Sequence, residues 1–334
     1  MRRSPSPRPG TAAGVLAGAL AVAVAGVVAA APALADAGDD GFTIKDPRIT
    51  ESSGLAASRI HPGVYWTHND SDDGPYLYAV DSRTGRTVAT VTMSGVGAPR
   101  DVEAISLGPD GDLYVGDIGD NLGGKWDHVW IYKLPEPKVL KDQTVRATQY
   151  VVKYADGPRN AEALMVHPKT GRVYIADKNE DGGHLYEGPA RLSATGTNVF
   201  ERVAPVDLWV TDGAFSPDGR HLAVRGYFGG ILYDWNGGDI KRRERLDVPL
   251  QAQGESVTYT TDGRKLLYGS EGANSPVQPE DAPGAAGSDA ASPSKGGGSA
   301  SGGGGETSKS ATVGAVAVAA LLAGFFGLRR LRRR

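Results

Sequence analysis

Glu103-Ala-Ile-Ser-Leu-Gly-Pro-Asp-Gly-Asp-Leu-Tyr-Val-Gly116 holds the pattern that decides the fold. A short apolar segment led by an acid meets a Pro-Asp-Gly turn, and a second apolar segment follows at once. Gly takes positive φ without steric cost, so the turn suits a tight connection between two antiparallel strands. The unit returns four more times. Its first strands are Ser53 to Ala57, Glu103 to Leu107, Glu162 to Val166, Asp212 to Ser216 and Glu255 to Tyr259, and four of these begin with an acid. Turn glycines follow at Gly63, Gly111, Gly171, Gly219 and Gly263, then second strands at Val64, Leu113, Val173, His221 and Lys265.

Third strands fit Tyr76 to Val80, Val129 to Tyr132, His184 to Glu187 and Ile231 to Asp234. Fourth strands fit Thr87 to Met93, Thr144 to Tyr154, Val199 to Val206 and Arg243 to Val248. Units start roughly 45 to 60 residues apart, the spacing of four-stranded propeller blades. The fifth unit lacks a clear fourth strand, while the segment 42–49 precedes the first unit without a blade of its own. That segment is expected to supply the missing outer strand and so remove the open sheet edge. The sequence therefore predicts an all-β, five-bladed β-propeller with one C-terminal transmembrane helix. Six blades are the alternative, if a long connection hides a further unit, and a β-sandwich is the remaining competitor.

The ends read differently from the middle. Arg2 and Arg3 precede an uncharged run from Thr11 to Ala31, and Ala33-Leu-Ala35 offers the small residues that signal peptidase accepts. Residues 1–35 are expected to be a signal peptide. An uncleaved anchor is the competing reading, because the apolar run is long. Residues 36–278 then form the propeller domain, and 279–310, rich in Gly, Ser, Ala and Pro, form a flexible linker of about 30 Å typical reach. Residues 311–328 carry no charge and come close to the ~20 apolar residues that span a bilayer. Residues 329–334 hold five arginines, which keeps that end cytoplasmic and the folded domain outside. Such a chain is exported and anchored in the cell membrane, and no Leu-Pro-x-Thr-Gly-like sortase motif offers another attachment.

The chain has no cysteine, which excludes disulfides, a lipoprotein anchor and thiolate metal sites. Net charge is −3, and the basic ends leave the exported domain more acidic than that. Nucleic acid is disfavoured as a partner, since phosphate binding needs a basic face. The partners this leaves are the membrane, through the single C-terminal span, and an extracellular small molecule, glycan or protein.

In a propeller, the start of strand one and the end of strand two share one face of the disc. The starts bring Glu51, Asp101, Glu103, Glu162, Asp212 and Glu255 to that face. The ends bring His68, Asn69, Asp70, Asp117, Asp120, Asn121, Asp177, Lys178, Arg225 and Glu271. Two explanations compete. Carboxylates cap strand ends and pair with Lys178 or Arg225, or oxygen ligands converge on a hard cation such as Ca²⁺, which takes six to eight oxygens. Asn69, Asp70, Asp117, Asp120 and Asp177 are the candidate metal ligands, although neither acidic segment has EF-hand spacing. Glu51, His68, Asp101, Glu103, Glu162, Asp212, Arg225 and Glu255 are the candidate ligand-binding residues.

Trp66-Thr-His-Asn-Asp70, Asp101-Val-Glu-Ala-Ile105, Val115-Gly-Asp-Ile-Gly-Asp-Asn121 and Asn160-Ala-Glu-Ala-Leu164 carry a resemblance. The chain resembles exported bacterial β-propeller repeat proteins over most of residues 42 to 275. More distantly it is similar to phytase-like and esterase-like propellers, and that resemblance implies calcium in an acidic channel. It assigns no catalytic residue. The sequence has no Gly-x-Ser-x-Gly elbow, zinc signature, phosphate loop or dinucleotide fingerprint. Trp66, Tyr114, Tyr174 and Tyr268 sit mid-strand and read as packing residues. A cell-surface binding module with an acidic, calcium-binding mouth is the leading expectation. A calcium-dependent extracellular hydrolase of phosphoesters, esters or glycans is the alternative, and a structural envelope component is a third.

Overall fold

The five turn glycines all adopt positive φ, between 70° and 79°, at Gly63, Gly111, Gly171, Gly219 and Gly263. A computed structural model describes residues 40–70 and 73–284. The expected signal peptide, membrane span and basic tail lie outside those residues. So does the expected linker from 285 onward. Among the described residues no helix is long and apolar enough to cross a membrane.

The architecture is all-β and repeat-like. After β1 (Phe42–Thr43) the chain runs through β2 (Ser52–Ala57), β3 (Val64–Asn69), β4 (Tyr76–Asp81) and β5 (Arg86–Ser94) as one antiparallel meander. Next come β6 (Val102–Leu107), β7 (Asp112–Asp117), β8 (Val129–Pro135), β9 (Gln143–Arg146) and β10 (Thr148–Tyr154). A third meander is β11 (Ala161–Val166), β12 (Val173–Asp177), β13 (Gly183–Glu187) and β14 (Thr197–Val206). The fourth is β15 (Val210–Phe215), β16 (His221–Gly226), β17 (Gly229–Asn236) and β18 (Asp239–Leu246). The last sheet holds β19 (Gly254–Tyr259), β20 (Lys265–Ser270) and β21 (Pro276–Asp281), with β1 on its outer edge.

The inner strands β2, β6, β11, β15 and β19 pack against one another in sequence order, and β19 returns to β2. Five apolar clusters fill the spaces between successive sheets. Trp66, Leu77, Val91, Leu113 and Tyr132 join the first sheet to the second, and Ile44, Leu55, Tyr65, Leu267 and Val277 join the last to the first. Each side chain of this size contributes roughly 1.5–3 kcal/mol when fully buried. The packing role expected for Trp66 is observed: it is fully buried, and its indole N–H donates to Glu136 Oε1 at 2.9 Å.

Three local details depart from the sequence-based expectation. The segment 144–154 is two strands. β9 leaves its own sheet to pair parallel with β5, and β10 returns to pair with β8 and, in parallel, with β14. The closing strand is short, because only Phe42 and Thr43 pair, opposite Val277 and Pro276. Ile44 and Ile49 instead sink into the core. Finally, β21 continues through Asp281 and Ala282 is buried, so ordered structure extends past residue 278.

Candidate metal centre and channel mouth

Every inner strand pairs with its neighbour through the same irregularity near its start. Register slips between Ser52 and Leu55, Val102 and Ala104, Ala161 and Ala163, Val210 and Asp212, and Gly254 and Val257. A bulge of this kind leaves one extra residue unpaired and re-aims its side chain. The residues at the slip are Ser53, Glu103, Glu162, Thr211 and Glu255. The expected alignment of Asp212 with the other acids is therefore offset by one, because Thr211 occupies the equivalent position. Asp212 pairs opposite Arg225, and its carboxylate accepts the N–H groups of Gly213 and Val257 at 2.7 and 2.8 Å. It ties β15 to β19.

Asp70, Asp101 and Glu103 converge. One carboxylate oxygen from each lies within 4.8 Å of the others, and all three residues are buried. Asp70 follows β3, while Asp101 and Glu103 come from the start of β6, so the cluster bridges two sheets. Ser53 Oγ donates to Glu103 Oε2 at 3.2 Å, and Asn121 Nδ2 donates to Asp101 Oδ2 at 3.2 Å. Glu103 Oε1 is buried with no hydrogen-bond donor. It faces Gly119, whose absent Cβ would lie 2.6 Å from both Glu103 Oε1 and Asp101 Oδ2. Only glycine permits so close an approach. Burial pushes the Glu103 carboxyl well above the usual range, and the charges of Asp70, Glu162 and Asp101 add to it.

Glu162 and Glu255 have a different environment. Lys178, at the end of β12, forms a buried ion pair with Glu162 and donates to Tyr227 Oη at 2.7 Å. Its ammonium also lies 4.9 Å from the Tyr227 ring centre and 5.8 Å from that of Trp209. Burial raises the Glu162 carboxyl to about 8, opposed by Lys178 and reinforced by Glu255 and Asp70. Glu255 is raised as well, chiefly by burial, with Lys178 opposing it.

The remaining candidates are found at the same face but bond mainly to the protein itself. Asn69 Oδ1 accepts the N–H groups of Thr50 and Glu51, and Asp117 accepts those of Arg100 and Asp101 as well as the Tyr132 hydroxyl. Asp177 pairs with Arg159 at 2.9 Å and accepts the His184 N–H. These three residues occupy equivalent positions opposite Ser52, Val102 and Ala161, and there they lock the chain entering or leaving the sheet. Asp120 Oδ2 accepts the Trp126 N–H, while its buried Oδ1 has no donor. His68 is buried, its Nδ1 bonds the Asn69 carbonyl, and its Nε2 has no partner, so burial holds its pKa down. Glu51 is half-buried, and its carbonyl accepts the Asp70 N–H. Arg225 is fully buried and donates to Gln251 Oε1 and to the carbonyls of Ser256 and Gly269, which clamps β16 to the last sheet.

The sequence placed Asn121 on the acidic rim without assigning it to a cluster, did not single out Gly119, and offered Lys178 only as a pairing partner. The only signal for the first two was the Gly-Asp-Asn run after β7. Chemically, the trio offers oxygen donors alone, with three formal negative charges and one unpartnered oxygen. Such a set suits a hard divalent cation and does not suit a soft one.

No family model matches the chain, and no curated protein matches it. Among solved structures, a chain of the mitotic checkpoint complex is 14% identical, with TM-score 0.37, covering 68% of this chain and 60% of that one. A protein from Bacteroides uniformis described as a 6-phosphogluconolactonase is 14% identical, with TM-score 0.38, covering 66% of this chain and 64% of that one. This chain thus spans less than two thirds of the length of either. At such scores the likeness carries no argument about fold or chemistry, and the repeat-like, propeller-type architecture rests on the strand pairing itself.

Proposed function

We propose that this chain is an exported, membrane-anchored propeller of five blades that binds an extracellular ligand or partner through an acidic, cation-holding mouth. Five blades are supported by the closed succession β2, β6, β11, β15, β19 and by the completion of the last sheet with β1. Export and anchoring are supported by the sequence of the two ends. The cation is Ca²⁺, and its residues are Asp70, Asp101 and Glu103.

One observation carries the cation assignment: three buried carboxylates converge, two of them pressed against Gly119, and Glu103 Oε1 there lacks any donor. A bound cation would neutralise like charges that otherwise repel in a poorly solvated site. The test is thermal melting and calorimetric titration of the purified full chain in detergent. Ca²⁺ should stabilise the fold relative to chelator by RT ln(1 + [L]/Kd), about 2.7 kcal/mol at a hundred times Kd, and so raise Tm. Asp101→Asn should abolish that shift. An unchanged Tm and no binding heat would remove the metal from the proposal.

The hydrolase alternative is favoured by one feature, the Glu162 carboxyl raised to about 8, since a general acid must hold its proton near neutral pH. Its deep burial beside Lys178 favours the binding module instead. Turnover of phosphoester, ester or glycan substrates that Glu162→Gln abolishes would reverse that preference.

A further inference from the structure

The end of the channel remote from the acids is chemically unlike the mouth just described. There the C-terminal halves of the inner strands surround a cavity of about 210 Å³. Leu55, Ile105, Val166 and Val257, all buried, supply the apolar part of its lining, and Ser106, Thr258 and Thr260 are among the polar part. No carboxylate lines it, and Arg59 is its one charged lining residue.

Two lining groups have donors in place. Arg59 is exposed, and its Nη1 donates to the Gly108 carbonyl at 2.9 Å, which holds the guanidinium at the rim. Ser106 Oγ accepts the Val166 N–H at 3.1 Å, so its own O–H remains to be donated. The volume falls below the ~300–1,000 Å³ of pockets for drug-sized ligands, so the occupant is small.

We propose that this cavity is a ligand site separate from the acidic mouth, and that it takes a small monocarboxylate with a short aliphatic body. The carboxylate pairs with Arg59 and accepts from Ser106, while the aliphatic part covers Leu55, Ile105, Val166 and Val257. Charge complementarity excludes an amine as the preferred occupant. The acids at the opposite mouth further disfavour an anion seated deeper, which fixes the direction of binding: head at the rim, tail inward.

The test is calorimetric titration of the full chain in nanodiscs with pentanoate, pentan-1-ol and pentylammonium, with empty nanodiscs subtracted. Chelator present throughout keeps the result independent of the metal proposal. Pentanoate should bind more tightly than the other two probes. Arg59→Gln, at an exposed position, should weaken pentanoate about tenfold and leave pentan-1-ol unchanged. Ala214→Phe, which fills the cavity, should abolish both. Absence of pentanoate binding, equal binding of pentylammonium, or indifference to both substitutions would each overturn the proposal.

Discussion

The two halves of the acidic mouth solve the same electrostatic problem differently. At Glu162 and Glu255 the protein supplies its own cation, Lys178, which is fixed by Glu162 and the Tyr227 hydroxyl. At Asp70, Asp101 and Glu103 three carboxylates meet, Glu103 Oε1 has no donor, and a glycine lets Asp101 and Glu103 approach the backbone closely. Equivalent bulge positions on neighbouring strands thus lead to a filled site and a receptive one. A buried acid is costly in either case. Whether the counter-charge is built in or recruited decides whether the site is structural or responsive.

Removing the built-in cation breaks the comparison most severely. Lys178→Met should cost about 3–5 kcal/mol in urea denaturation, because it leaves buried carboxylates uncompensated. The double variant Lys178→Met/Glu162→Gln should recover part of that loss, and equal stability of the two variants would show that the pair is not the source. Closing the receptive half is milder. Gly119→Ala should cost about 1–3 kcal/mol by crowding Asp101 and Glu103, and it should weaken the Ca²⁺ response while the Lys178 pair stays intact. A variant with undiminished calcium stabilisation would separate Gly119 from the metal site.

The smallest effect is in pH. Glu103, Glu162, Asp212 and Glu255 have raised carboxyl pKa values in the folded chain. Between the unfolded value, 4.5 for Glu and 3.8 for Asp, and the folded one, the folded state binds more protons. Stability is then greatest below the unfolded pKa and falls as pH rises, until Glu162 titrates at about 8. In chelator, Tm should drop by several degrees from about pH 5 to pH 8. Calcium should flatten the part of that slope that comes from Glu103. A Tm that climbs across this range would contradict the charge assignment.

How far the sequence reveals these features depends on whether they are local. The turn glycines and alternating strands are written in contiguous residues, so the repeating units are legible without coordinates. The acids were also legible as a group, since strand starts and ends must share a face. What could not be read was the one-residue slip that moves Asp212 out of line with Glu103, because a bulge depends on pairing and not on composition. The detour of β9 to β5 was hidden for a related reason: a parallel partner 52 residues away leaves no local mark. The trio joins Asp70 to Asp101 and Glu103 across two sheets, so neither acidic run alone discloses it.

The meeting of Phe42 with Val277 has a consequence of its own. The first and last sheet strands of the described chain are neighbours, so its path is a circuit with a seam only two residues wide. A circuit has no privileged starting point. The order in which the units are translated is therefore separable from the order in which they sit, and the seam is where the two ends of the ring join strand to strand.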